Sequence, residues 1–386
     1  MQQVLFRIPI PFTDVKLPIF GFGVMLCLAF LLCTWMAGRR ARRAGMPPET
    51  MQDLAIWLFV CGLLGARLTF LLQEDPRPGF WQILYMLPRI WDGGIILYGS
   101  AIGGLIGYLG AWYFIFRPRK IGTLALADVA APAIALGLCL GRIGCFLNGC
   151  CYGQVACPEC AVWPVVHFPV SAPPSEDLIR KGVETAAGFT IVPAEQQPAS
   201  GVKVGVVALD SPAWRSGLRA GDVIVEVNGQ PLTEPGEIGR RDDVEKLSQY
   251  LRNPANWQGR HDLALTVKRE GKDAAVNIAP FVPRTVGLYP AQLYESVSMI
   301  LLILFLLAYE PFRRSDGQVM ALLLLAYGIH RFLNEMLRAD PRPEGFERYT
   351  SLALAGVGLA MWLALQLRSR RAAPAPKAPV AATASA

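Results

Sequence analysis

Charge is what this sequence has least of. Asp, Glu, Lys and Arg make up 17% of its 386 residues, hydrophobic residues make up 53%, and the mean hydropathy is +0.35. Soluble domains carry about 25% charged residues, so this scarcity excludes an ordinary water-soluble body. No basic cluster precedes the first apolar run and no small-residue cleavage site follows it; Arg39, Arg40, Arg42 and Arg43 follow instead. That pattern predicts a retained span rather than a removed leader. A basic surface with interleaved aromatics is also missing. The net charge of +7 resides mainly in four short basic clusters, which argues against nucleic-acid binding.

The apolar excess falls in blocks near the ~20 residues a bilayer requires. Seven spans are expected, over 17–37, 53–72, 94–116, 124–148, 290–312, 318–337 and 349–367. Alternate counting puts the arginines after the first span, Arg117 with Arg119 and Lys120, Arg313 with Arg314, and Arg368 with Arg370 and Arg371 on one side. Positive loops mark the cytoplasm. The N-terminus and the long loop after the fourth span are therefore expected outside, and the C-terminus inside. The tail from Ala372, rich in Ala and Pro, reads as disordered.

Between the fourth and fifth spans lie about 140 residues of soluble character. The runs Ala187-Gly188-Phe189-Thr190-Ile191-Val192 and Val202–Val207, then Gly221-Asp222-Val223-Ile224-Val225-Glu226-Val227-Asn228-Gly229, resemble a PDZ domain over 184–281. In that family free backbone amides hold a peptide's terminal carboxylate while its extended chain pairs with a strand. The resemblance thus implies binding of peptide C-termini at Gly188, Phe189 and Thr190, against the alternative of a folded spacer. Alternation in 202–207 and 263–268 supports strands. Cys157-Pro158-Glu159-Cys160 has the spacing of a zinc or redox pair. An outer, oxidising loop favours instead structural disulfides among Cys150, Cys151, Cys157 and Cys160.

Polar groups inside the apolar blocks are few, and they share a level. At about 1.5 Å per helical residue, Arg67 and Arg142 each lie about 9 Å inside the outer end of their spans. Tyr98 lies at a similar depth, Gln292 and Glu295 open the fifth span, and Arg331 and Glu335 precede the outer end of the sixth. Singly, each has a structural explanation: Arg331 and Glu335 are spaced to neutralise one another, and Arg67 can snorkel. Together they form a net positive outer pocket suited to a phosphate ester with acyl tails, since an intramembrane cation points to a bound anion. Asp128, near the inner end of the fourth span, reads as a structural contact.

The run Gly141-Arg142-Ile143-Gly144-Cys145-Phe146-Leu147-Asn148-Gly149-Cys150-Cys151-Tyr152-Gly153 resembles the signature of the prolipoprotein diacylglyceryl transferase family. Trp91-Asp92-Gly93-Gly94 with Tyr98-Gly99, Tyr289-Pro290-Ala291-Gln292-Leu293-Tyr294-Glu295, and Tyr327-Gly328 with Arg331, Glu335 and Arg338 are similar to its other segments. The chain departs from the family at Tyr98, where a histidine is usual, at Cys145 (asparagine), Cys150 (glutamate) and Phe20 (tyrosine).

The resemblance implies a bacterial inner-membrane enzyme that moves a diacylglyceryl group from phosphatidylglycerol to the lipobox cysteine of a prolipoprotein, without metal or cofactor. Arg142 and Arg331 are then assigned to the phosphate, with Arg67 and Gly153 also at the lipid site. Asn148 and Gln292 are positioners and Glu335 orients Arg331. Glu295 is the candidate proton acceptor, and Tyr98 a donor to the leaving group. Two alternatives stand beside this: a non-catalytic scaffold holding lipid and secreted C-termini, and a transporter, which the lack of a polar track disfavours.

The expected fold is an all-α polytopic membrane protein with an inserted soluble PDZ-like α+β domain of β-barrel type. Its parts are four helices with the signature (1–150), a cysteine-containing linker (151–183), the PDZ-like domain (184–281), three helices (285–368) and a cytoplasmic tail (369–386).

Overall fold

A computed structural model describes residues 4–9, 16–47, 49–74, 79–87, 89, 97–156, 164–169, 172–181, 185, 187–192, 196–233, 240–257, 262–282, 284–340 and 346–372. In chain order the elements are strands β1 (Val4–Pro9) and β2 (Lys16–Phe20), then helices α1 (Gly21–Arg43), α2 (Glu49–Glu74), α3 (Phe80–Met86), α4 (Leu97–Ala111) and α5 (Thr123–Asn148). There follow α6 (Pro173–Arg180), β3 (Phe189–Ile191), β4 (Val202–Val207), α7 (Pro212–Arg215), β5 (Val223–Val227), β6 (Gln230–Pro231), α8 (Arg240–Arg252), β7 (Leu263–Arg269) and β8 (Lys272–Ile278). Helices α9 (Ala291–Tyr309), α10 (Gln318–Glu335) and α11 (Phe346–Ala372) complete the chain.

Among the described residues six helices are long and apolar enough to cross a membrane: Gly21–Arg43, Glu49–Gln73, Gly99–Phe116, Thr123–Asn148, Ala291–Phe312 and Arg348–Ser369. The expected sixth span, α10, is a helix of 18 residues. Its last turns carry His330, Arg331, Asn334 and Glu335, which depress its hydropathy below that of the others.

The chain divides into two compact units. One comprises Cys27–Cys139, Ser298–Phe332 and Glu347–Ala386. Here α2 and α4 pack backbone to backbone. Gly99, Gly103 and Gly107 recur every fourth residue and share one face of α4, and a Cβ on any of them would strike Thr69, Cys61 or Trp57 of α2. Such small-residue stripes let membrane helices approach closely, where burial of apolar surface no longer drives association. Gly328 and Gly358 serve the same purpose between α10 and α11.

Asp128, fully buried on α5, accepts from the amides of Gly317 (2.8 Å) and Met320 (2.9 Å), and its Oδ2 lies 3.5 Å from Arg313. It thus caps the N-terminus of α10, where a carboxylate satisfies otherwise unpaired amides. Arg40 donates to the carbonyls of Val129 and Asp128 and pairs with Glu310 at 2.7 Å. Its role is therefore a helix-to-helix tie as well as a positive charge on the basic side.

The other unit comprises Met1–Leu26, Leu140–Val297 and Leu333–Phe346. Its sheet runs β3-β4-β5-β7-β8, antiparallel throughout, with β6 beside β5. The β7–β8 hairpin closes on Glu270 and Gly271, both at positive φ (51° and 80°), the two-residue turn whose twist matches paired strands. Phe189, Ile224, Leu247, Leu263 and Ile278 are fully buried beneath it. Ile179 of α6 enters the same core, which also holds Val244, Leu247 and Leu251 of α8.

This packing bears on one expectation. The Gly188 amide donates to the Thr185 carbonyl, the Phe189 carbonyl accepts from the Thr185 amide, and the Phe189 ring is core. Thr190 Oγ1 accepts from the Val206 amide on the neighbouring strand. The Gly188 amide, one of those expected to face a carboxylate, is thus bonded within its own loop.

Candidate active site

The signature run ends α5 and turns sharply. Gly144 sits where a Cβ would come within 3.0 Å of the Phe22 ring, so a glycine lets α1 and α5 approach. Gly149, at φ 83°, ends the helix in the left-handed region that glycine tolerates. The amides of Gly149 and Cys150 both return to the Cys145 carbonyl (2.9 and 3.1 Å). Cys151 is itself at φ 60°, a conformation that a non-glycine residue keeps only when its surroundings enforce it.

Three backbone bonds to two other chain segments enforce it. Gly153 N–H donates to Tyr289 O (2.9 Å), Gln154 N–H to Leu337 O (3.2 Å) and Ala339 N–H to Tyr152 O (3.1 Å). A Cβ at Gly153 would run into the carbonyls of Tyr289 and Leu337, so this glycine is required by backbone packing from both sides. Beneath it Tyr152 is buried and bonds Asp177 of α6, and Phe168 meets Phe146 edge-on at 6.3 Å. The loop is thereby tied to the segments preceding α9 and following α10.

Inside this frame Arg142 Nε lies 2.9 Å from Glu295 Oε1, with the two side chains 16% and 1% exposed. Asn334 Nδ2 donates to Glu295 Oε2 at 2.6 Å. Both carboxylate oxygens thus have a partner, and Glu295 ties the Arg142 guanidinium to Asn334 of α10. Gln292, also buried, donates to the Cys150 carbonyl at 2.7 Å and so braces the loop. The Asn148 side chain bonds the Cys150 thiol.

Arg338 makes a two-pronged bond to Asp340 (3.0 and 2.7 Å) and is nearly buried. Asp340 keeps Arg338 firmly charged, its pull outweighing the burial that would lower the guanidinium's affinity for its proton. Cys145, Cys150 and Cys151 carry free thiols, with their Sγ atoms within 4.8 Å of one another. Cys151 lies in the field of both Arg338 and Arg142. The expected bridging of Cys150 or Cys151 is therefore absent between the described cysteines. Cys157 and Cys160 lie outside the described residues.

The structure thus brings together Arg142, Asn148, Gly153, Gln292 and Glu295, and adds Asn334, Arg338 and Cys151. The sequence signal for Asn334 was its place about one turn after Arg331 and next to Glu335 on the same helix. Glu335 is half-buried at the end of α10. Arg331 and Arg67 belong to the other unit. Arg67 is buried there, its Nε 3.4 Å from the Met86 carbonyl and its guanidinium 5.4 Å over Phe70. Tyr98 opens α4, but its side chain lies outside the described residues, as does Trp91–Ile96.

A buried, carboxylate-held cation at the end of an apolar helix, in a chain with six helices able to span a bilayer, marks a polytopic membrane protein. The chain belongs to the prolipoprotein diacylglyceryl transferase family, whose sequence model matches residues 9–368, and it is accordingly a transferase. It is 29% identical over 381 residues to the phosphatidylglycerol–prolipoprotein diacylglyceryl transferase of Rhodopirellula baltica, covering 89% of this chain and 72% of that one. The protein of the same name from Clostridium tetani is 22% identical over 337 residues, 86% of each. That of Proteus mirabilis is 34% identical over 172 residues, 44% of this chain and 55% of the relative.

Proposed function

We propose that the chain moves the diacylglyceryl group of phosphatidylglycerol onto the lipobox cysteine of a secreted prolipoprotein. The observation that carries this reading is Arg142, held by a buried carboxylate within the signature loop. The thiol loses its proton, the thiolate sulfur attacks the glyceryl carbon, and that carbon's bond to the phosphate oxygen breaks. Glycerol phosphate leaves with the electron pair, and a thioether remains. Arg142, its orientation set by Glu295 and Asn334, meets the charge growing on the departing phosphate with a planar fork of donors. Arg331, oriented by Glu335, and Arg67 supply further positive charge to the lipid headgroup, and Tyr98 donates to the leaving group.

In this reading α10 is a seventh span, tolerated in the membrane because its polar turns face the lipid site. The N-terminus and the sheet unit face outward and the C-terminus faces the cytoplasm, as the basic clusters indicate. The sheet is an inserted PDZ-like domain, supported by its strand order and its Gly221–Gly229 run. Its closed Gly188 loop favours a spacer over a receptor for peptide C-termini. The test is transfer of radiolabelled lipid from phosphatidylglycerol to a lipobox peptide by the purified protein; absence of label in the peptide overturns the reading.

A further inference from the structure

Two of the positions at which this chain departs from its family's usual residues, Cys145 and Cys150, place thiols beside a third, Cys151. The three sulfurs lie within 4.8 Å of one another. Sulfur ligands at about 2.3 Å from a tetrahedral zinc stand roughly 3.8 Å apart, so closure needs a contraction of about 1 Å or less. The turn at Gly149 folds Cys150 and Cys151 back toward the last turn of α5, and Gln292 clamps the Cys150 carbonyl. The arrangement is therefore held by the backbone. Three thiolates on a divalent ion leave one negative charge, and Arg338 and Arg142 are the cations acting on this cluster.

We propose that Cys145, Cys150 and Cys151 bind one Zn(II) ion, whose open fourth position takes the thiol of the incoming precursor. Three protein ligands and one exchangeable position are the pattern of a zinc site that works on a substrate. This inference rests on the transfer reaction proposed above. The peptide thiol binds zinc as a thiolate and releases its proton to water; the zinc-held sulfur then attacks the glyceryl carbon as the carbon–oxygen bond to the phosphate breaks. Zinc supplies a soft Lewis acid that keeps a thiolate available near neutral pH. It takes over the thiol-activating work of the histidine whose place Tyr98 holds in this chain.

The test uses full-length protein in detergent, stripped of metal and reloaded. One zinc per chain is expected by elemental analysis, retained against a chromophoric chelator. Cys145→Ser, Cys150→Ser and Cys151→Ser should each weaken it by more than about tenfold, while Cys27→Ser keeps it. Co(II) in place of zinc should show sulfur-to-metal charge-transfer bands that strengthen on adding a lipobox peptide and stay unchanged with its Cys→Ser version.

Retention of zinc by the Cys145→Ser/Cys150→Ser/Cys151→Ser protein, no zinc bound by the parent, copper(I) bound in its place, or a disulfide among these three in the native protein would each overturn the site. None of these readouts needs lipid transfer. Zinc bound as expected without transfer would sink the proposed reaction and leave the metal site standing.

Discussion

Glu295 Oε1 lies 2.9 Å from Arg142 Nε while Asn334 holds its other oxygen, so the carboxylate that the sequence offers as a proton acceptor is in contact with the cation proposed to meet the phosphate. Removing a preorganised charge donor costs about two to three powers of ten in turnover, and that is the loss expected for Arg142→Ala. Arg142→Lys should recover only part, lacking the planar fork. Glu295→Gln should lower turnover without altering the shape of the pH–rate profile; loss of one limb of the profile would restore Glu295 as a base.

Arg331 and Tyr98 give a second test. Arg331→Ala should lose on the order of two to three powers of ten in transfer. Tyr98→Phe should lower turnover with little change in lipid binding, and Tyr98→His should be active. Transfer by Arg331→Ala at the parent rate would remove that arginine from the phosphate site.

The cap at Asp128 is a stability prediction. Asp128→Ala leaves the amides of Gly317 and Met320 without their acceptor, a loss of about 1–3 kcal/mol for buried donors. Thermal unfolding in detergent should show it. Asp128→Asn, which keeps one acceptor oxygen, should be the milder change; equal melting of Asp128→Ala and parent would refute the cap.

The sheet domain should weaken in acid. Burial alone would raise the Asp222 carboxyl, but the two-pronged bond from Arg269 and the Arg219 amide override it and hold the group below the usual carboxylate range. A group depressed on folding contributes stability that is fully present above its unfolded pKa, near ~4, and is lost as pH falls through the folded value. Limited proteolysis of the full chain between neutral and acid pH should reveal this loss. In Asp222→Asn the acid-dependent part should shrink.

Orientation can be read by protease sites placed after Asp210 and after Lys120. In intact spheroplasts only the first should be cut. Cleavage at both, or only at the second, would invert the topology.

The sequence made the long helices visible because apolar runs of bilayer length are a strong signal, and strands β4 and β7 because their residues alternate. Strand β1 and the short helices α3 and α6 were not foreseen: α6 is stabilised by Ile179 entering a core built elsewhere, which local pattern does not reveal. At the site, Arg142 was legible from its motif. Its partners were not, because Glu295 and Asn334 come from helices 153 and 192 residues further along the chain, and no local spacing encodes such a meeting. The same distance hid the bond from the Gln292 amide to the Cys150 carbonyl.

Asp128 meets Gly317 across 189 residues of sequence, and ribosomes add roughly 5–20 residues per second. The fourth span is therefore made roughly 10–40 s before the amides that satisfy its carboxylate exist. Throughout that interval the whole sheet domain is being synthesised. Until α10 emerges, the Asp128 carboxyl lacks these donors and must find water or other polar partners. Assembly of this protein thus has a clock: its fourth span is completed only by a helix that arrives late.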